Sequence, residues 1–310
     1  MKLFSRKGIL TVPPLSSVAT IGFFDGVHLG HRFLLDTVLS ASASRGMHSM
    51  AVTFPQSPFS VLHPESDVRL LSTSEEKVER LLDAGIDVVA MLPFTKELAS
   101  LSSESFMSDM LLRELHVKAL VTGYDHHFGH GGNSSFEDYQ RYGSAIGMEV
   151  IQASRLNQDG LPMSSPVSSS LIRQFLEVGE LDKANQALGY AYQLSGQVVK
   201  GYHVGTQLGY PTANIAVSSE KLIPAHGVYA VRISSDLFSG LRGMLNIGHR
   251  PTVHNGDDLS IEVHIFDYSE DLYGHQLTVS LERFIRRERK FHNLDELRTQ
   301  LASDELECRK

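Results

Sequence analysis

The stretch Ala19 to His31, ATIGFFDGVHLGH, decides how the chain is read. It opens within an apolar run, Val18 to Phe24, that carries β-branched residues and no charge, the pattern of a strand buried on both faces of a parallel sheet. Asp25-Gly26 breaks the run, and Phe33, Leu34, Leu35, Val38 and Leu39 then recur at helical spacing. A strand that turns sharply into a helix places free backbone N–H groups and the positive end of the helix dipole at the carboxyl edge of the sheet, where an anion is favoured. His28 and His31, on one helical turn, project to nearly the same side, and Gly30 leaves no side chain where a bound group would sit. As donors, the imidazoles would hold the oxygens of a phosphoryl centre as its charge builds. Taken alone, H-x-G-H is better explained by a turn histidine and a solvated helix histidine; its position after a buried strand and a D-G break favours the phosphate seat.

Outward from that unit, strand and helix alternate. Ser49 to Phe54 reads as a strand and Pro55 to Pro64 as a proline-rich loop, after which Ser72 or Thr73 caps an amphipathic helix to Ala84. Asp87 to Leu92 is a third strand, Ser102 to Leu115 a helix, Lys118 to Thr122 a fourth strand, Phe136 to Ile146 a helix and Met148 to Gln152 a fifth strand. Such alternation implies right-handed crossovers and an α/β, doubly wound parallel sheet whose ligand crevice lies beyond the carboxyl ends of its strands.

Two more stretches reach that edge. The loop from Gly123 to Gly132 is rich in glycine and histidine, and its Asp125 could position a ligand hydroxyl, an amino group or Mg2+; a mobile surface loop is the plainer alternative, and the spacing does not suit a zinc cage. Pro166 to Arg173 caps a helix running to Val178. Its serines fit ordinary capping, while Arg173, one turn in, points back toward the same end and suits a polyphosphate oxygen. Two helix amino termini would then face a triphosphate from either side.

The whole chain sets bounds. Its 310 residues suffice for two domains with cores of their own, and 42% hydrophobic with 21% charged residues is the composition of a globular protein. No run approaches the roughly 18 apolar residues of a membrane span, and the amino end lacks the apolar stretch of a signal peptide. The single cysteine, Cys308, excludes an internal disulfide and a cysteine-based metal cage, which points to the cytoplasm. A net charge of -8 opposes general attraction to nucleic acid, so a polyanionic ligand needs local donors and a divalent cation. The basic cluster from Arg283 to Lys290 follows an alternating stretch and reads as a strand end or phosphate contact rather than an RNA face. Neither nucleic acid nor membrane is expected as a partner, and oligomeric state is not legible.

From about Tyr192 the helical period gives way to short alternating stretches: Leu194 to Val199, Val228 to Ile233, Leu241 to Ile247, Ser260 to Phe266 and Gln276 to Leu281, with a closing helix opened by Asn293 and Glu296 and running Leu297 to Leu301. That is a small antiparallel β-barrel with a C-terminal helix. Within it, Gly205-Thr206-Gln207-Leu208-Gly209-Tyr210-Pro211-Thr212-Ala213-Asn214 has glycines that let backbone approach phosphates, and Thr212 and Asn214 supply oxygens suited to Mg2+. By composition alone it could be a plain barrel turn.

The chain has no P-loop and no protein-kinase signature. H-x-G-H with S-S-S-x-x-R resembles the nucleotidyltransferase superfamily, specifically the adenylyltransferase domain of the bacterial bifunctional riboflavin kinase/FAD synthetase. The P-T-A-N stretch, Gly227-Val228-Tyr229, Asn246 to Thr252, Ile261-Glu262-Val263-His264 and Arg286-x-Glu288-x-Lys290-Phe291 resemble its riboflavin kinase domain in the same order. The resemblance implies an adenylyltransferase domain over 1–186 and a kinase barrel over 187–310, with riboflavin, FMN and ATP as substrates and Mg2+ as cofactor. It implies that Glu262 accepts the ribityl hydroxyl proton, that Thr212 and Asn214 hold Mg2+ and phosphate beside Gly205, Gly209 and Pro211, and that Asn246, Arg286 and Phe291 contact flavin. In the amino half it implies that His28 and His31 stabilise the transferring group, that Gly22, Phe24, Asp25 and Gly30 shape the ATP site, that Ser169, Ser170 and Arg173 hold the outer phosphates and that Asp125 contacts nucleotide or metal. Several positions depart from the family pattern: Phe23 replaces an asparagine, Pro55-Gln56-Ser57-Pro58 an acidic-Pro-His-Pro segment, Leu171 an arginine and Thr206 a basic residue, while His126 and His127 vary the glycine loop. These leave two rivals open: an amino domain that has lost adenylylation, and a different nucleotidyltransferase with a nucleic-acid-binding barrel.

Overall fold

The computed structural model describes residues 1–124, 127–131, 134–154, 166–201, 208–249 and 259–310. Asp125, His126, Gly205 and Thr206 lie outside the described residues. Two compact units divide the chain, Met1–Val167 and Ser168–Lys310.

The first unit is built on a seven-stranded sheet. Its strands are β1 (Lys2–Ser5), β2 (Gly8–Leu10), β3 (Ser17–Ile21), β4 (His48–Thr53), β5 (Val88–Met91), β6 (Val117–Thr122) and β7 (Glu149–Gln152), in the order β2-β1-β5-β4-β3-β6-β7. The strands β3 to β7 run parallel, as their alternation with helices requires, and β3 is buried at every residue. The chain order reverses between β3 and β6, so the crevice of the sheet opens beyond these two strands. The antiparallel hairpin β1–β2 extends one edge. Sequence reading does not anticipate it, because strands this short, with Leu3 alone buried, carry almost no periodic signal.

Local chemistry sets the element ends. Thr73 caps the helix Ser74–Asp83 through a reciprocal capping box with Glu76, and Ser135 does the same for Phe136–Ile146 with Asp138. The helix expected over Ser102 to Leu115 is α-helical at Ser103–Ser105 and π-helical over Phe106–Glu114. The first strand stops at Ile21 rather than Phe24. Phe24 takes a left-handed conformation (φ 52, ψ 36), and its ring folds over Gly22, where a Cβ would stand 2.9 Å from the ring carbon Cζ.

The second unit is a closed barrel ordered β10-β11-β12-β9-β8-β13. Its strands are β8 (Gln193–Val199), β9 (Ala213–Val217), β10 (Gly227–Ser234), β11 (Leu241–His249), β12 (Leu259–Ile265) and β13 (Gln276–Arg287). Asn214, read from the sequence as part of a loop, lies on β9 and pairs with β12 and β8. The helices Ser169–Val178 and Leu181–Leu188 belong to this unit rather than to the sheet: Ala225 N donates to Leu176 O, and Asn185 Nδ2 donates to Leu281 O on β13. The closing helix runs Leu294–Cys308, longer than the apolar spacing suggests. Its last turns are fixed by polar contacts, Arg286 to the buried Asp304 and Arg242 to the Cys308 carbonyl, and these carry no hydrophobic pattern.

Candidate functional site

In the first unit the turn after β3 leads into the helix Leu29–Arg45 with His28 as N-cap. His28 Nδ1 accepts from the His31 backbone N–H at 3.3 Å, and the two rings stack with centroids 3.7 Å apart and planes 16° from parallel. Because Nδ1 accepts, the His28 proton sits on Nε2; burial also drives the ring to a pKa of about 4. His28 is thus a neutral, single donor rather than an imidazolium. Gly30 keeps room for that imidazole: a Cβ there would lie 3.1 Å from His28 Cε1, so its space serves the His28 ring as well as a ligand. Phe24 is 2% exposed and meets His31 edge-on, so it shapes the site from within. The Asp25 carboxylate, also buried, accepts from the backbone N–H groups of Leu71 and Ser72, while Ser72 Oγ accepts from Gly26 N. Asp25 therefore holds the turn in shape.

Beside Gly22 and Phe23 the same edge opens into an apolar cavity of about 700 Å³. Phe23, Phe54, Phe94, Phe106, Phe128 and Leu98 form its walls. Volume and lining suit a flat aromatic heterocycle.

In the barrel, strand register does the assembling. Asn214 on β9 stands opposite Glu262 on β12, Glu262 opposite Asn246 on β11, Asn246 opposite Val228 on β10, and Val228 opposite Arg286 on β13. Directly opposed residues share a sheet face, so one row across five strands collects the metal, base and flavin candidates. Thr212 Oγ1 donates to Glu262 Oε2 at 3.1 Å and Ser260 Oγ to Oε1 at 2.7 Å. Asn214 is buried, with Ser260 Oγ 3.5 Å from its Oδ1. His264 Nδ1 donates to Pro211 O at 2.7 Å, tying the P-T-A-N turn to β12. A cavity of about 220 Å³ lies against this row, and Thr212, Asn246, Glu262, Arg286 and Phe291 all reach it. A second cavity of similar size, bordered by Tyr268, Leu272 and Tyr273, shares Thr212 and Pro211 with the P-T-A-N turn.

Comparison with known proteins agrees with this division. Residues 13–167 match the FAD synthetase family and residues 188–310 the riboflavin kinase family. Relatives named bifunctional riboflavin kinase/FMN adenylyltransferase include one from Escherichia coli K12, 36% identical over 96% of this chain and 93% of its own length. Another, from Listeria monocytogenes, is 34% identical over 95% of this chain and 92% of its own. The chain belongs to the bifunctional riboflavin kinase/FMN adenylyltransferase family. A solved chain from Streptococcus pneumoniae described as a macrolide-efflux protein shares this chain's architecture: 29% identity, TM-score 0.86, covering 97% of this chain and 96% of that one. No helix among the described residues is long and apolar enough to cross a membrane.

In the adenylyltransferase half, the structure brings His28, His31, Gly22, Phe24, Asp25 and Gly30 into one turn. Ser169, Ser170 and Arg173 instead belong to the second unit, on the first turns of the helix Ser169–Val178, where Ser168 takes the capping role by accepting from Leu171 N. In the kinase half, Gly209, at φ 87, turns the chain into Pro211 and Thr212. Arg286 is engaged by Asp304, which accepts from its Nε and Nη2, and Phe291 lies between Arg286 and Arg289 with cation–ring distances of 5.9 and 4.7 Å. Sequence reading misses the aromatic cavity, whose walls come from residues far apart in the chain, and the role of His264. The adjacency of His264 to Glu262 in the same strand, two residues on and hence on the same face, is the one signal that could have found it.

Proposed function

We infer that the chain phosphorylates riboflavin to FMN in the barrel and adenylylates FMN to FAD in the sheet unit, with ATP as co-substrate of both steps. What carries this reading is that each unit sets a ligand-sized cavity against its own phosphate-type turn, the aromatic cavity beside Gly22-Phe23 and the Glu262 row beside P-T-A-N.

In the kinase step the ribityl 5'-hydroxyl attacks the γ-phosphorus of ATP, Glu262 accepts the hydroxyl proton and ADP leaves with the cleaved bond's electrons. Phosphoryl transfer asks chiefly for positioning and charge neutralisation, with one proton acceptor near the nucleophile. Thr212 touches both barrel cavities, so flavin beside Arg286 and Phe291 and nucleotide beside Tyr273 would meet at this residue. The Thr212 hydroxyl and the Asn214 side-chain Oδ1 are hard oxygen donors that fit Mg2+, which leaves the Glu262 carboxylate for the proton. Bound there, Mg2+ would neutralise phosphate charge. Gly209 and Pro211 hold the turn that presents these groups.

In the adenylyl step an FMN phosphate oxygen, ionised near neutral pH, attacks the α-phosphorus of ATP and pyrophosphate leaves, so no strong base is needed. His28 Nε2–H and the His31 ring would donate to the transferring group, and the backbone N–H groups of the first helical turn add to the field there. Ser169, Ser170 and Arg173 are proposed for the outer phosphates and Asp125 for nucleotide or metal. ATP chemistry and a single buried thiol, Cys308, suit a cytoplasmic enzyme.

The test is to mix the purified chain with riboflavin, ATP and Mg2+ and separate the flavins. FMN followed by FAD, with pyrophosphate released, is expected. FMN alone would show that the amino half has lost adenylylation; neither product would refute the reading.

A further inference from the structure

Lys77 is a charged residue inside the adenylyltransferase unit, 1% exposed, on a helix that reaches the sheet's carboxyl edge. Its Nζ donates to Phe54 O at 2.6 Å and lies 4.0 Å from the centroid of the Phe23 ring. Both aromatic residues wall the apolar cavity. Thr53 Oγ1 donates to Phe23 O at 3.1 Å, so backbone and ring of Phe23 are both tethered. Just before the helix, Leu71 and Ser72 donate their backbone N–H groups to Asp25 of the histidine turn. One short segment thus grips the exits of β3 and β4 together.

An ammonium so deeply buried is costly unless its charge is answered. Asp25, from the turn after β3, is the charged group that attracts it; on its own helix Glu76 lies one residue earlier, its carboxylate accepting from Thr73 N, and the exit of β4 offers the Phe54 carbonyl. Burial still lowers the amine to about 8. A salt-tolerant apolar core would be served by leucine or methionine at this position, so the retained charge has to act through what it holds: the cavity wall and the turn. The Phe23 ring offers the ammonium a π face that attracts its charge.

We propose that Lys77 is a positioning residue for FMN adenylylation: clamped between the Phe54 carbonyl and the Phe23 ring, its ammonium locks the aromatic wall of the flavin cavity to the turn that carries His28. This rests on the reading that the first unit converts FMN to FAD. Lys77 touches neither substrate; it fixes the surface FMN meets.

The experiment uses the full chain and measures FAD formation from supplied FMN, with riboflavin phosphorylation in the same samples reporting chain integrity. If the wild-type chain makes no FAD while still phosphorylating riboflavin, the functional reading of the first unit fails and the proposal falls with it. If it does, Lys77→Met raises KM for FMN by about tenfold or more with a smaller effect on kcat, and Lys77→Arg, which keeps the charge, returns to within about threefold of wild type. In a Phe23→Leu background the same Lys77→Met change has a smaller effect on KM, because the ring that couples the two is gone. In the wild type, kcat/KM for FMN falls as pH rises through about 8, and Lys77→Met lacks that limb. A Lys77→Met chain with KM for FMN within twofold of wild type overturns the proposal. Should that variant not fold, a wild-type kcat/KM that stays flat between about pH 7 and 9.5 overturns it equally.

Discussion

Replacing Glu262 by glutamine separates the two half-reactions. The carboxylate accepts two hydroxyl hydrogen bonds, from Thr212 at 3.1 Å and Ser260 at 2.7 Å. Glutamine has the same shape: the hydroxyl facing its amide nitrogen can rotate to accept while the other still donates to its amide oxygen, so the structural loss is the difference between charged and neutral partners, about 1–2 kcal/mol in total. The loss of a proton acceptor is larger: general-base catalysis contributes about 10²–10⁴-fold, or about 3–5 kcal/mol of transition-state stabilisation. Glu262→Gln is therefore expected to slow riboflavin phosphorylation by at least about a hundredfold while moving the melting temperature by only a few degrees. FMN supplied directly is still converted to FAD. Chromatographic separation of riboflavin, FMN and FAD from one time course reads both steps. A loss of less than about tenfold in phosphorylation would refute Glu262 as the base. Equal loss of both steps in a folded chain would refute the division of labour between the units.

Three other perturbations follow from the geometry. His31→Ala removes one of the stacked imidazoles and should halt the flavin series at FMN; continued FAD formation at the wild-type rate would exclude His31 from the transfer. Gly30→Ala brings a methyl within 3.1 Å of the His28 ring, yet alanine favours the helix by about 1 kcal/mol, so adenylylation should drop while thermal stability holds or rises; a parallel fall of both would contradict this. The unfolded His28 binds a proton below about 6.5 whereas the folded ring resists until about 4, so stability declines as pH falls through that window, by up to about 3 kcal/mol. His28→Asn keeps an N-cap acceptor and cannot titrate, so its melting temperature should lose less than that of the wild type between those pH values; identical acid limbs would show that the decline arises elsewhere.

Much of the architecture is written in local patterns. The apolar run into β3, the D-G break and H-x-G-H together specify a strand feeding a helix amino terminus, because burial on both sheet faces demands continuous apolar residues and the turn demands glycine. Strand alternation gives the doubly wound sheet, and sequence narrows the cap of one helix to Ser72 or Thr73, between which the capping box with Glu76 selects Thr73. The chemistry of the P-T-A-N stretch points to Thr212 and Asn214 before any coordinates are known, while Glu262 comes from the family resemblance alone.

What sequence could not supply depends on through-space pairing. The hairpin β1–β2 exists because the sheet's edge offers it a partner, and the strand β9 because β8 and β12 pair with it from either side, not because their own residues insist on it. The row from Asn214 to Arg286 is a matter of register across five strands, and no one-dimensional spacing encodes it. The neutral state of His28 follows from its burial and its bond to His31, and the aromatic cavity from helices and strands that meet only when folded. Residue order alone determined the kinds of element and named candidate reactive groups; folding decided which of those candidates share a cavity and in what charge state, because desolvation and strand pairing act across distances that the linear chain does not measure.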